Sequence, residues 1–228
     1  MVFKDKKVII FDLDGTLIDS APDLATAVNH MLETLNFTTF NEDTIRSWVG
    51  NGAQMLVKRA LSGKSKIDEN LDMILFSKAL DIFLDFYSQN LSVLTTAYPN
   101  VDKTLKTLKD AGFTLVIVTN KPFDFIEPIL KGLKMDEFFD FYLGGDSLDQ
   151  KKPDPMPLLY VSKKTNIPVE RCVMIGDSKN DILAAKAANM QNIALSYGYN
   201  YDEDISTYKP DFLFDDFIDI LKPFGVEI

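Results

Sequence analysis

Thiols, imidazoles and long apolar runs are almost missing from this chain. Its 228 residues include one cysteine, Cys172, and one histidine, His30. A lone thiol cannot close an intrachain disulfide, which excludes a secreted disulfide scaffold. The same scarcity disfavours a structural zinc site and a Ser-His or Cys-His nucleophile. No apolar run approaches the roughly 18 residues a membrane span needs, so no span is expected. The segment from Met1 to Phe11 passes from charged residues into a strand without the apolar stretch of a signal peptide, so a cytoplasmic protein is expected. Positive charge is also short: 24 Lys and Arg face 34 Asp and Glu, a net charge of −10. With no basic stripe, no nucleic-acid partner and no anionic membrane surface is expected.

What remains is an ordinary globular composition, 46% hydrophobic and 25% charged. Four apolar runs read as buried strands. Val8 to Phe11 ends in Asp12-Leu13-Asp14-Gly15-Thr16, and Leu115 to Val118 ends in Thr119-Asn120. Phe139 to Leu143 ends in Gly144-Gly145-Asp146, and Cys172 to Ile175 ends in Gly176-Asp177. Weaker strands are read at Asn192 to Leu195 and Phe212 to Phe214. Continuous apolar strands suit a parallel sheet covered on both faces. Helical patterns alternate with them: Val101, Leu105 and Leu108 stopped by Gly112, and the Ala-rich Asp181 to Ala188 stopped by Asn189. Alternation of this kind predicts an α/β fold, a doubly wound parallel sheet.

One stretch breaks the alternation. From Thr16 to about Thr95 the patterns are helical, with Leu24, Val28, Met31, Leu32 and Leu35 on one face, then Met55 to Leu61 and Ile74 to Tyr87. Roughly eighty such residues are far more than the dozen or so a crossover needs. They predict an inserted α-helical cap domain at 18–95 on a Rossmann-like core of 1–17 and 96–228, with hinges near Ile18 and Tyr98-Pro99.

Ligands of open α/β sheets sit beyond the carboxyl ends of the strands. Those ends carry Asp12, Asp14, Thr119, Asn120, Asp177 and Asp181, with Lys151 and Lys152 in a neighbouring loop. Two unit charges 4 Å apart interact by about 4 kcal/mol at an effective dielectric of 20. Converging acids must therefore protonate or share a cation, and an all-oxygen donor set suits Mg²⁺. A carboxylate nucleophile with Mg²⁺ suits phosphoryl transfer. Each acid alone has a plainer explanation, since Asp177 and Asp181 stand where a helix start wants capping.

The order of these motifs resembles the haloacid dehalogenase-like hydrolase superfamily. Asp12-Leu13-Asp14-Gly15-Thr16 is similar to its first motif, Thr119 to its second, Lys152-Pro153 to its third and Gly176-Asp177-Ser178-Lys179-Asn180-Asp181 to its fourth. Within it, the segments Trp48 to Ala53, Val118 to Pro122, Ala184 to Ala188 and Tyr197 to Asn200 resemble the bacterial phosphoglycolate phosphatase subgroup. Three positions depart from the usual pattern: Asp154 for His, Asn189 for Gly and Lys179 for Arg.

The resemblance implies a role for each residue. Asp12 would be the nucleophile and Asp14 the acid and then the base. Thr119, Asn120 and Lys152 would bind substrate phosphate, with Lys152 preferred to Lys151 because it precedes the proline. Asp12, the main-chain carbonyl of Asp14 and Asp177 would hold Mg²⁺, with Asp181 a further ligand or a residue orienting the metal's waters. The expected substrate is a small-molecule phosphate ester, 2-phosphoglycolate first, and the expected state is monomer or homodimer. Arg46, Asn51, Lys58 and Arg59 are cap candidates for a substrate carboxylate. A sugar phosphomutase of the same superfamily is the alternative. A dehalogenase would not need Asp14, a phosphonatase would need a cap lysine, and a phospho-receiver module would lack the cap.

Overall fold

The computed structural model describes Phe3 and residues 5–227. Its chain order is β1 (Val8–Phe11), β2 (Ile18–Asp19), α1 (Ala21–Thr34), α2 (Glu42–Arg46), α3 (Ala53–Ser62), α4 (Met73–Ser88) and β3 (Thr96–Ala97). Then follow α5 (Val101–Asp110), β4 (Thr114–Val118), α6 (Ile126–Gly132), β5 (Phe141–Leu143), α7 (Met156–Thr165), β6 (Cys172–Gly176), α8 (Lys179–Ala187), β7 (Gln191–Leu195) and β8 (Phe212–Phe214). Short 3₁₀ turns link several of these, and a 3₁₀ helix at Phe217–Phe224 closes the described chain.

Six strands form one parallel sheet in the order β5-β4-β1-β6-β7-β8. Its central strands β1 and β6 are apolar and buried throughout because both faces are covered. Ile9, Phe11, Leu115, Ile117, Val173 and Ile175 point to one face, against Leu105 and Leu108 of α5 and Ile129 and Leu130 of α6. The alternate residues Val8, Ile10, Val116, Val118 and Met174 meet Leu158 and Val161 of α7 and Ala184 and Ala185 of α8. That period of two, with apolar residues at both phases, is what the sequence runs encode.

The sheet order places the site. Central β1 lies between β4 and β6, with Phe11 paired to both Ile117 and Ile175. The residues following these three strands therefore emerge side by side.

Helices α1 to α4 stand apart from the sheet and bury a cluster of their own, built on Val28, Met31, Trp48, Val57, Ala79 and Phe83. Asn41 caps α2 by accepting the Thr44 amide at 2.8 Å, and Asp72 caps α4 through the Ile74 amide at 2.8 Å. The chain leaves and returns through β2 and β3, which pair antiparallel as Ile18 with Ala97 and Asp19 with Thr96. Asp23, in the first turn of α1, accepts the amides of Leu94 and Thr95 and the Thr95 hydroxyl at 2.7–3.0 Å. No described helix is long and apolar enough to cross a membrane.

Several boundaries differ from the sequence reading. The β2–β3 pair was not expected, since two-residue strands carry no periodicity to read. Strand β5 begins at Phe141 rather than Phe139, because the preceding chain turns as a 3₁₀ helix over Asp136–Phe138. Helix α8 begins at Lys179 rather than Asp181, with Ser178 as its N-cap. Asn189 does take the left-handed conformation after it, with φ of 54°.

Candidate active site

Asp12 and Asp14 leave the end of β1, and Thr119, Asn120 and Lys121 the end of β4. Asp177 follows β6, Asp181 stands in the first turn of α8, and Lys152 arrives from the loop between β5 and α7. Carboxylate oxygens of Asp12, Asp177 and Asp181 all lie within 4.8 Å of one another, and all three residues are buried. Lys152 Nζ stands 3.0 Å from Asp12 Oδ1 and 2.6 Å from Asp181 Oδ1. Three carboxylates face one ammonium, so two negative charges are uncompensated if all ionise.

The acids respond as electrostatics requires. Burial pushes the Asp12 carboxyl up to about 7, the Lys152 charge opposing and the Asp181 and Asp14 charges adding. Burial also holds Asp177 well above the ordinary carboxylate range, with Asp181 and Asp12 raising it further. Burial alone would lower Lys152, but the Asp12 and Asp181 charges outweigh it and keep the ammonium firmly protonated.

Each acid is also held in place. Asp12 Oδ1 accepts the Leu13 amide at 2.8 Å. Asp177 accepts the Thr16 hydroxyl at 2.5 Å and the Tyr199 amide at 2.6 Å. Asp181 Oδ2 accepts the Ser178 amide at 3.0 Å and hydroxyl at 2.8 Å, completing the capping box of α8 while Oδ1 faces Lys152. Gly15 has φ of +88°, and a Cβ there would lie 2.3 Å from Asp177 Oδ2, so the turn needs a residue with no side chain.

An all-oxygen donor set with excess negative charge fits a hard divalent cation. Asp14 is not part of that carboxylate triad. Its side chain is claimed by Lys121 Nζ at 2.9 and 3.2 Å and by the Ser20 hydroxyl at 2.5 Å. Burial would lower Lys121, but the Asp14 charge overcomes this and raises it.

Asp12, Asp14, Thr119, Asn120 and Lys121 also line one small cavity, partly open to solvent. Its opposite wall comes from the insertion: Leu24, Val49, Leu56, Phe83 and Tyr87, with Gly50, Gly52 and Ala53. The Asn120 side-chain amide is spent on the carbonyls of Gly50 and Lys152, both at 3.0 Å, and its Oδ1 has no described partner. Thr119 is buried and its Oγ1 accepts the Lys121 amide at 3.2 Å, which leaves the hydroxyl proton for another acceptor.

A family model described as "Haloacid dehalogenase-like hydrolase" matches residues 9–195. The chain belongs to this family. It is 56% identical over 221 residues to a phosphoglycolate phosphatase of Colwellia psychrerythraea, spanning 97% of this chain and 98% of that one. A phosphoglycolate phosphatase of Psychrobacter arcticus is 54% identical, covering 93% of each chain. Among solved structures, a predicted phosphoglycolate phosphatase from Haemophilus somnus superposes with a TM-score of 0.90 at 40% identity, over 96% of this chain and 98% of that one. Family membership makes this member a hydrolase built on the family's core, and its buried triad fits the family's metal chemistry.

Of the two neighbouring lysines, Lys152 stands at the acids, whereas Lys151 donates to the Asn51 carbonyl of the insertion at 2.9 Å. The expectations for the insertion's polar residues need revision. None of Arg46, Asn51, Lys58 and Arg59 lines the cavity. Arg46 is taken by Asp19 and Glu42 at 2.7 and 2.6 Å. Arg59 holds the Trp48 carbonyl at 2.6 Å and Asn51 Oδ1 at 2.8 Å. Lys58 Nζ sits 4.8 Å from the centre of the Phe76 ring. Lys121 was given no role, although a lysine two residues past a strand-end threonine was the available signal. Ser20 and Tyr87 had no local signal, because only tertiary folding brings them to the site.

Proposed function

We propose that this chain is a Mg²⁺-dependent phosphatase of small phosphate monoesters, converting 2-phosphoglycolate to glycolate and phosphate. One observation carries the reading. Two carboxylates, Asp12 and Asp14, open on the same cavity, and each is paired with its own buried lysine. Two acids held in different electrostatic settings can divide nucleophilic and proton-transfer work. The names and high identity of the relatives support the choice of substrate.

Asp12 attacks the phosphorus, and the bond from phosphorus to the ester oxygen breaks. Asp14 delivers its proton to that leaving oxygen, so glycolate departs as an alcohol. A water then attacks the aspartyl-phosphate while Asp14 takes its proton. The phosphorus–Asp12 bond breaks and free phosphate is released. Thr119 and Lys152 hold phosphate oxygens, one by a hydroxyl and one by charge. Asp12, Asp177, Asp181 and the Asp14 carbonyl would hold Mg²⁺, whose charge would favour ionised Asp12 and draw the phosphate oxygens. Residues 18–95 act as a lid that excludes water and selects the leaving group.

The alternative, a sugar phosphomutase, meets an unsuitable wall. The insertion lines the cavity with Leu24, Val49, Leu56 and Phe83 and, among the described residues, one polar side chain, Tyr87. Each sugar hydroxyl buried there without a partner costs about 1–3 kcal/mol.

The test is phosphate release from a panel of phosphomonoesters with Mg²⁺ and with EDTA. Turnover of 2-phosphoglycolate should lead the panel and vanish with EDTA. Asp12→Asn should fall to about a thousandth of wild type or less. Release from other esters but not from 2-phosphoglycolate would remove the substrate assignment and keep the chemistry.

A further inference from the structure

The wall contributed by the insertion holds one unsatisfied group. Tyr87, on α4, is 1% exposed, and its hydroxyl proton has no acceptor among the described residues, its near polar neighbour being the Lys121 ammonium, which can only donate. Buried hydroxyl protons without acceptors are uncommon because the desolvation cost goes unreturned. The ring is fixed by stacking on Phe83 at 5.6 Å and by an edge contact with Phe125 at 5.4 Å, so the hydroxyl cannot swing away freely. Lys121 Nζ lies 4.9 Å from the centre of the same ring while paired with Asp14. Burial pushes the phenol up to about 12, so it remains a donor at any working pH. A second feature shares the cavity. Helix α3 starts there at Gly52 and Ala53 with no side-chain cap, which turns the positive end of its dipole toward the same space.

We propose that the Tyr87 hydroxyl, with the uncapped start of α3, receives the carboxylate of the leaving group and sets the preference for acidic phosphate esters. The inference rests on the phosphatase reading above and assigns the specificity end of that site. Asp12 and the lysines take the phosphate at the floor of the cavity. The carboxylate end meets the lid, where the arginines and lysine considered from sequence are all engaged elsewhere. Leu56 and Phe83 of the same wall give the short carbon link apolar neighbours.

The decisive variant is Tyr87→Phe, compared with wild type on 2-phosphoglycolate and on ethyl phosphate, which has a methyl group in place of the carboxylate. Loss of a hydrogen bond to a charged group should lower kcat/KM for 2-phosphoglycolate about tenfold or more. Ethyl phosphate should stay within about twofold, because only the hydroxyl is removed. Product inhibition should follow the same pattern, with a weaker Ki for glycolate and an unchanged Ki for inorganic phosphate. The thermal midpoint without ligand should change little, since the lost hydroxyl proton had no acceptor. Equal losses on both esters would show that Tyr87 acts through Lys121 or the fold and would overturn the proposal. Unchanged kinetics on 2-phosphoglycolate would overturn it as well. Wild type idle on 2-phosphoglycolate would instead sink the substrate assignment. The same ratio, taken between the best acidic ester and ethyl phosphate, would then decide the role of Tyr87: selective loss supports it and parallel loss ends it.

Discussion

Lys152 shows how much of the site's chemistry one residue carries. Buried between Asp12 and Asp181, it compensates one charge of three and leaves Asp12 raised to about 7. A carboxyl raised in the folded state binds a proton that the unfolded chain has lost. Its contribution to stability is therefore full below about pH 4 and disappears as pH rises through about 7. Other acids titrate too, so the difference between two proteins isolates the effect. With EDTA present, Asp12→Asn should melt above wild type at pH 8, and the gap should close toward pH 4. Mg²⁺ should raise the wild-type midpoint at pH 8 and close the gap from the other side. A gap independent of pH would show that Asp12 is not the group titrating. At this scale the sequence was informative wherever a reactive residue ended an apolar run, as Asp12, Thr119 and Asp177 do. It was silent on the Asp14–Lys121 pair, whose members lie 107 positions apart. Tyr87 was hidden for another reason: an aromatic at helical spacing reads as core, and most of its ring is core.

Individual elements meet through the loop before α3. The Gly50 carbonyl accepts the side-chain amides of Asn120 at 3.0 Å, from the loop after β4, and of Asn180 at 3.2 Å, from the first turn of α8. Its φ is +119°, and a Cβ there would lie 2.4 Å from Tyr201 Oη. Tyr201 is itself held by Asn180 at 2.8 Å, so it has little freedom to yield. Gly50→Ala should therefore both strain the turn and lift it off the sheet. A strained position of this kind costs about 1–3 kcal/mol, and the midpoint should drop by about 2–4 °C for each of those. Because the loop also lines the cavity, kcat/KM should fall by about tenfold or more, as a displacement of about 1 Å can cost even more. A variant that keeps both values would show that Tyr201 moves aside. None of this docking could be read from the chain, since Gly50 and its partners lie in separate motifs that register only after folding. The helices themselves were legible because apolar stripes repeat at three and four residues. The β2–β3 pair was not, because its bonds depend on where distant segments return.

Across the whole molecule, charge sets a condition on catalysis. The net charge is −10, and the proposed substrate is itself an anion. Long-range repulsion must be overcome locally by Lys152, Lys121 and a bound cation. Salt screens the distant charges first, with a Debye length of about 30 Å at 0.01 M and about 8 Å at 0.15 M. At saturating Mg²⁺, kcat/KM for 2-phosphoglycolate should therefore rise over that range of ionic strength, while kcat stays nearly constant. A fall would mean that the cavity's own positive field dominates encounter. The overall architecture was readable because the period of the apolar pattern and the order of the strand-end motifs agree. Which lysine or tyrosine faces the cavity depends on packing, and packing has no one-dimensional signature.

The pairing of β2 with β3 has a consequence in heredity. The chain departs from the sheet and rejoins it at adjacent positions, clasped by Asp23. Seen from the sheet, everything between is a detour that begins and ends at one doorstep. Insertions, deletions or wholesale exchange within the detour leave the threading of the six strands untouched. Descendants of such a gene can revise the helical wall of the cavity while inheriting the strand-end acids unchanged.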